Sequence, residues 1–157
     1  MEEDVTLTGG MGSSNAGWYA YFLDGKASLT KWSMDREGTF EDGIVWQTQL
    51  PANSPNPSDR YCTFNVWGDT ISLLGIIYEG DNFMGLDRKT GEVLWSKTAP
   101  YTLLEATTSG YGKTFTACSD LRWRAFDMKT GAELWASEPM DYPWADFASY
   151  TNGVAYG

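Results

Sequence analysis

The chain has 157 residues, enough for one ordinary domain with a core of its own. Twenty-one acids against 11 bases give a net charge of -10, which speaks against nucleic acid or an acidic membrane surface as a partner. There is no histidine, so Ser-His-Asp and Cys-His catalysis and histidine-based metal centres are excluded.

In chain order, the acidic start MEEDVTLTGG has no apolar core and does not read as a signal peptide, and no run of about 18 apolar residues reads as a membrane span. The segment Gly9 to Gly17 is glycine-rich but has no Gly-Lys-Ser/Thr, so it reads as a connection between strands rather than a phosphate loop. Then come three strand-like runs, GWYAYFLD, ASLTKWSMD and GIVWQTQ, the last of which contains Trp46. Between the second and third, the acidic loop Asp35 to Gly43 has no EF-hand spacing and reads as a solvated hairpin loop, with calcium as the alternative. The polar, proline-rich Pro51 to Arg60 reads as a surface loop.

The next unit reads as YCTFNVW, a Gly68-Asp69 turn, a near-continuous apolar strand from Ile71 to Tyr78, then NFMGLD and EVLWSK. The third unit reads as YTLLEATTSG, KTFTACS, RWRAFDM and AELWASE. In RWRAFDM, alternation places Trp123 and Ala125 on one face and Arg122 and Arg124 on the other. Cys62 and Cys118 are not adjacent and form no CxxC motif; they read as small buried strand residues, with a disulfide as the alternative. The closing YTNGVAYG reads as the turn between the first and second strands of a further unit.

The second and third units share a string at an offset of 40 residues: GLDRKTGEVLW at Gly85 to Trp95, and AFDMKTGAELW at Ala125 to Trp135. The pairs Asp87/Asp127, Lys89/Lys129, Thr90/Thr130, Gly91/Gly131, Leu94/Leu134 and Trp95/Trp135 are identical. A period of about 40 residues with four short strands is the signature of a β-propeller blade. Each Asp is expected to cap its turn amides, each Gly to take positive φ, and Trp46, Trp95 and Trp135 to dock against neighbouring blades. The fold class is therefore all-β: a partial propeller of about three and a half four-stranded antiparallel blades, about 5–49, 60–98, 101–137 and part of a fourth at 142–157.

The pattern A-x-D-x-x-T-G-x-x-x-W, complete at Ala125, Asp127, Thr130, Gly131 and Trp135, resembles the tryptophan-docking motif of the pyrroloquinoline-quinone (PQQ) type propeller repeat. The copy at Gly85 departs at its first position, and the copy at Asp35 to Trp46 is three residues longer. The resemblance covers roughly residues 17 to 157. It implies one of two kinds of protein. One is the quinoprotein dehydrogenases, which carry the quinone over a vicinal disulfide and a calcium ion. The other keeps the propeller without the cofactor, as bacterial outer-membrane assembly scaffolds, sensor domains and secreted or surface proteins do. This sequence has no Cys-Cys pair, so the cofactor-less branch is expected, with no cofactor, no metal and no catalytic residues. The expected role is a scaffold or recognition module outside the cytoplasm, whether extracellular, on the cell surface or periplasmic. The alternatives are a fragment of a PQQ-dependent dehydrogenase and a self-assembling structural subunit. The expected partners are the remainder of a larger propeller or other protein chains. A candidate ligand rim lies in EPMDYPWADF: Tyr142 and Trp144 would stack on a sugar ring and Asp141 and Asp146 would bond its hydroxyls, or else the rings pack between blades and the acids are solvated.

Overall fold

Runs rich in Thr, Val, Phe and Trp, punctuated by Gly, Asp and Asn, form short strands and tight turns in the computed structural model. The structure describes residues 26–33, 35, 37–54, 68–72, 77–103 and 110–139 in full, and 6–7, 18–23, 63–67, 73–74, 104–109, 149–151 and 154–156 as strand backbone. The candidate rim residues Asp141, Tyr142, Trp144 and Asp146, together with Cys62 and the Gly9 to Gly17 segment, lie outside the described residues.

The first sheet contains β1 (Thr6–Leu7), β2 (Trp18–Leu23), β3 (Lys26–Trp32) and β4 (Ile44–Gln49). The second contains β5 (Thr63–Trp67), β6 (Thr70–Leu74), β7 (Asn82–Asp87) and β8 (Val93–Thr98). The third contains β9 (Leu103–Gly110), β10 (Lys113–Cys118), β11 (Trp123–Asp127) and β12 (Glu133–Ala136). A hairpin, β13 (Ser149–Thr151) with β14 (Val154–Tyr156), follows. In each sheet the strands pair antiparallel in chain order, and the inner strands β5 and β13 both lie against β9. The molecule is an all-β, unclosed partial propeller.

The apolar core sits between the sheets rather than inside any one of them. Leu29, Trp46 and Leu50 of the first sheet meet Ile71, Met84 and Leu86 of the second. Ile77, Phe83 and Ala99 of the second meet Leu103, Cys118 and Phe126 of the third. Phe83 packs edge-on against both Trp95 and Phe126, with ring centroids 5.4 Å apart in each case.

One expectation is corrected by this packing. The apolar run from Ile71 does not continue as one strand to Tyr78: β6 ends at Leu74, and Ile77 forms a two-way backbone bridge with Leu103 of the next sheet. Its apolarity reflects burial at an inter-sheet seam, not strand length. The charged Arg124 lies inside the fold as well. Strand β11 is covered on both sides, and Arg124 is only 7 % exposed.

A second regularity lies in the outer strands. The pairing of the third strand with the fourth shifts register in every sheet just before the tryptophan: Lys31 opposes Trp46 but Trp32 opposes Ile44, Gly85 opposes Trp95 but Leu86 opposes Val93, and Ala125 opposes Trp135 but Phe126 opposes Glu133. The residue left over in each bulge is Val45, Leu94 or Leu134, and all three are exposed. In the first sheet the longer loop folds back on its own strand: Trp32 Nε1 donates to the Phe40 carbonyl at 2.8 Å, and the two rings stack.

Candidate functional site: the seams between blades

The Asp-x-x-Thr-Gly turns are built identically in two sheets. One Asp127 carboxylate oxygen accepts from Lys129 N, Thr130 N and Thr130 Oγ1, each at 2.9 Å. Asp87 does the same with Lys89 and Thr90 at 2.8, 2.9 and 3.1 Å. The amides of Thr90 and Lys89 hold the Asp87 carboxyl below the ordinary carboxylate range. Gly91 has φ +74° and Gly131 φ +64°, a left-handed backbone that glycine adopts without steric cost.

Each turn receives the tryptophan of the preceding sheet. Trp46 Nε1 donates to the Arg88 carbonyl at 3.1 Å, and its ring lies over Gly91 so closely that a Cβ there would collide with it. Trp95 Nε1 donates to the Met128 carbonyl at 2.8 Å, with its ring over Gly131. Two residues further on, Thr48 Oγ1 donates to the Gly91 carbonyl at 2.6 Å and Lys97 Nζ to the Gly131 carbonyl at 2.8 Å. Arg88 and Met128 are shared anchors. Their N–H groups bond Asp69 and Gly112 in the inner hairpin of their own sheet while their carbonyls accept the incoming indole. Gly85, where the third sheet has Ala125, also has a physical reason: a Cβ would run into the Trp95 ring and the Met128 carbonyl. Trp46 is 9 % exposed and Trp95 half-buried, whereas Trp135 is 43 % exposed, its ring 6.3 Å from that of Phe115.

Sequence alternation missed a polar knot at the opposite end of the third sheet. Arg124 makes a two-pronged ion pair with Asp120, both contacts at 2.6 Å, and reaches Glu133 Oε2 at 3.2 Å. Its guanidinium lies 3.9 Å from the centre of the Tyr101 ring, and the Tyr101 hydroxyl donates to the same Glu133 oxygen at 2.7 Å. Arg124 holds the Asp120 carboxyl below its ordinary range. Burial, and then the bond to Glu133, push the Tyr101 hydroxyl upward. Cys118 beside this knot is a free, buried thiol, pushed up to about 11 by burial, so it is a poor nucleophile.

A cleft of about 480 Å³ opens between the inner hairpin turns of the second and third sheets and the Asp127 turn. Tyr111, Lys113 and Lys129 are on its walls, with bare backbone at Gly68 and Gly112. Among the described residues, no three acidic or thiol side chains converge as metal ligands. Neither cysteine has a cysteine neighbour in the sequence, so the chain offers no vicinal disulfide for a quinone to lie on. The described residues therefore do not fit a quinone–calcium centre. No helix among them is long and apolar enough to cross a membrane.

No family model and no curated protein sequence matches the chain. Solved structures do resemble its fold. The computationally designed Ika8 protein is 10 % identical with a TM-score of 0.54, over 88 % of this chain and 38 % of that one. A europium-containing methanol dehydrogenase is 16 % identical with a TM-score of 0.51, over 76 % of this chain and 22 % of that one. BamB from Moraxella catarrhalis is 18 % identical with a TM-score of 0.49, over 79 % and 34 %. The chain thus spans well under half the length of each of these proteins, and for the first two the likeness is one of fold, a β-propeller arc.

Proposed function

We propose that the chain is a non-catalytic propeller segment of an extracellular, surface or periplasmic protein, acting as a scaffold or recognition module. Its partners are the remainder of a larger propeller or other protein chains. The observation that carries this reading is the use made of the repeated residues. The Asp87 and Asp127 carboxylates are committed to their own turn amides, and Trp46 and Trp95 are committed to the next sheet. The same seam chemistry is offered a third time by Trp135, which is 43 % exposed. A turn presenting a left-handed glycine and a free carbonyl is the surface that fits it.

Sedimentation of the chain and of Trp135→Glu tests the docking role. The wild type is expected to self-associate, and the variant to shift toward monomer while keeping its unfolding midpoint. A wild-type monomer indistinguishable from the variant overturns the reading. Dye-linked oxidation of alcohols or sugars with added PQQ and calcium separates it from a dehydrogenase: no turnover is expected, and saturable turnover overturns the non-catalytic assignment.

A further inference from the structure

We infer that Trp32 is an internal stopper. From within the first sheet it fills the seat at which that sheet would receive an indole from a second copy of the chain, so association through Trp135 ends at a dimer and does not grow head to tail. This rests on the docking role of Trp135 proposed above. The first observation is register. Trp32 opposes Ile44 as Leu86 opposes Val93 and Phe126 opposes Glu133. Leu86 belongs to the apolar cluster shared with the first sheet, and Phe126 meets Phe83 of the second. Both therefore lie on the face of their sheet that receives the preceding tryptophan. By register, Trp32 stands on the corresponding face of the first sheet.

The second observation is what the indole does there. In both described seams the incoming N–H finds a carbonyl of the outer turn, and the ring lies over a turn glycine. Trp32 reproduces both contacts inside its own sheet. Its Nε1 donates to the Phe40 carbonyl at 2.8 Å, and a Cβ added at Gly43 would collide with its ring. The Phe40 carbonyl also accepts from Gly43 N at 3.1 Å, so both its lone pairs are engaged. The Phe40 ring stacks on the indole from the same loop. Each of the three outer turns is thus occupied: Gly91 lies under Trp46, Gly131 under Trp95 and Gly43 under Trp32. A head-to-tail contact, which repeats without limit unless it closes into a ring, finds no open seat on a second copy. What remains for the exposed Leu134, Trp135 and Ala136 of β12 is the same apolar edge of that copy, met about a two-fold axis.

Sedimentation equilibrium of the complete chain over a wide range of concentration tests the stopper. The wild-type mass is expected to level off at twice that of the monomer. Trp32→Leu puts at this position the residue that the second sheet has at Leu86, and empties the seat. Its mass is expected to keep rising past the dimer, and the double variant with Trp135→Glu to return to monomer. Gly43→Ala displaces the ring without removing it and is expected to grow in the same way. A Trp32→Leu protein that still stops at the dimer overturns the proposal, and so does growth that persists after Trp135→Glu is added. A wild type that itself grows past the dimer through Trp135 overturns the stopper but leaves the docking role standing. A monomeric wild type overturns the docking role on which the stopper rests.

Discussion

Removing the indole of Trp46 takes away a ring packed on Gly91 and a hydrogen bond to the Arg88 carbonyl, and leaves both uncovered. Trp46→Ala should cost about 3–5 kcal/mol in urea denaturation. Trp135→Ala removes the same residue type from a 43 % exposed position and should cost less than about 1 kcal/mol in the monomer. Equal losses at the two sites would show that the ring's packing on Gly91 is not what matters. Gly131→Ala meets both a left-handed φ and the Trp95 ring. It should destabilise by about 1–3 kcal/mol or more, and Gly131→Asn, which tolerates the backbone but not the contact, should not restore stability. Asp120 sets an acid limb. Its folded pKa is depressed by Arg124, so its contribution is fully present above the unfolded value of about 3.9 and is lost as pH falls through the folded one. Thermal melts between about pH 4 and pH 2 should therefore show a decline that is shallower in Asp120→Asn. At neutral pH that variant should lose about 1–2 kcal/mol, a figure discounted because the Asp120 side chain is 37 % exposed.

The bulge before each tryptophan explains a pattern visible in the sequence but not interpretable there. Leu94 and Leu134 recur at the same step of the repeat, as a core residue would, yet both are exposed because the extra residue of the bulge turns them outward. The bulge also lets Trp135 and Glu133 face opposite sides of the sheet, one opposing Ala125 and the other Phe126. Leu134→Lys should change stability by no more than about 0.5 kcal/mol, measured by thermal melting, despite the repeated identity. A loss of several times that would place the leucine inside a seam. The same reasoning marks where sequence reading fails. Alternation in RWRAFDM separates two faces but does not say whether either is wet; strand β11 is covered on both, and Arg124 is buried at the centre of an ion-pair knot with Asp120 and Glu133. The left-handed φ of +50° at Tyr111 was invisible for another reason: no residue pattern states such a φ for a tyrosine. The Asp, Thr and Gly of the turns were legible because each is chosen for a local backbone task that does not depend on distant chain.

At the scale of the molecule, the two apolar clusters among the described residues share no residue, and each lies at one inter-sheet seam. Trp46→Ala and Trp95→Ala act on different seams with different receiving turns, so their effects should add within about 0.5 kcal/mol. Strong coupling between them in a double-mutant cycle would mean that the second sheet deforms as a unit.

The direction of the indole bonds also orders events in time. Trp46 needs the carbonyl 42 residues later, and Trp95 the one 33 residues later; in both bonds the acceptor lies downstream. During synthesis at roughly 5–20 residues per second, the first tryptophan therefore has no seat for about 2–8 s after it is made. Each sheet is completed by its successor, so the growing end of the chain always carries one unseated indole.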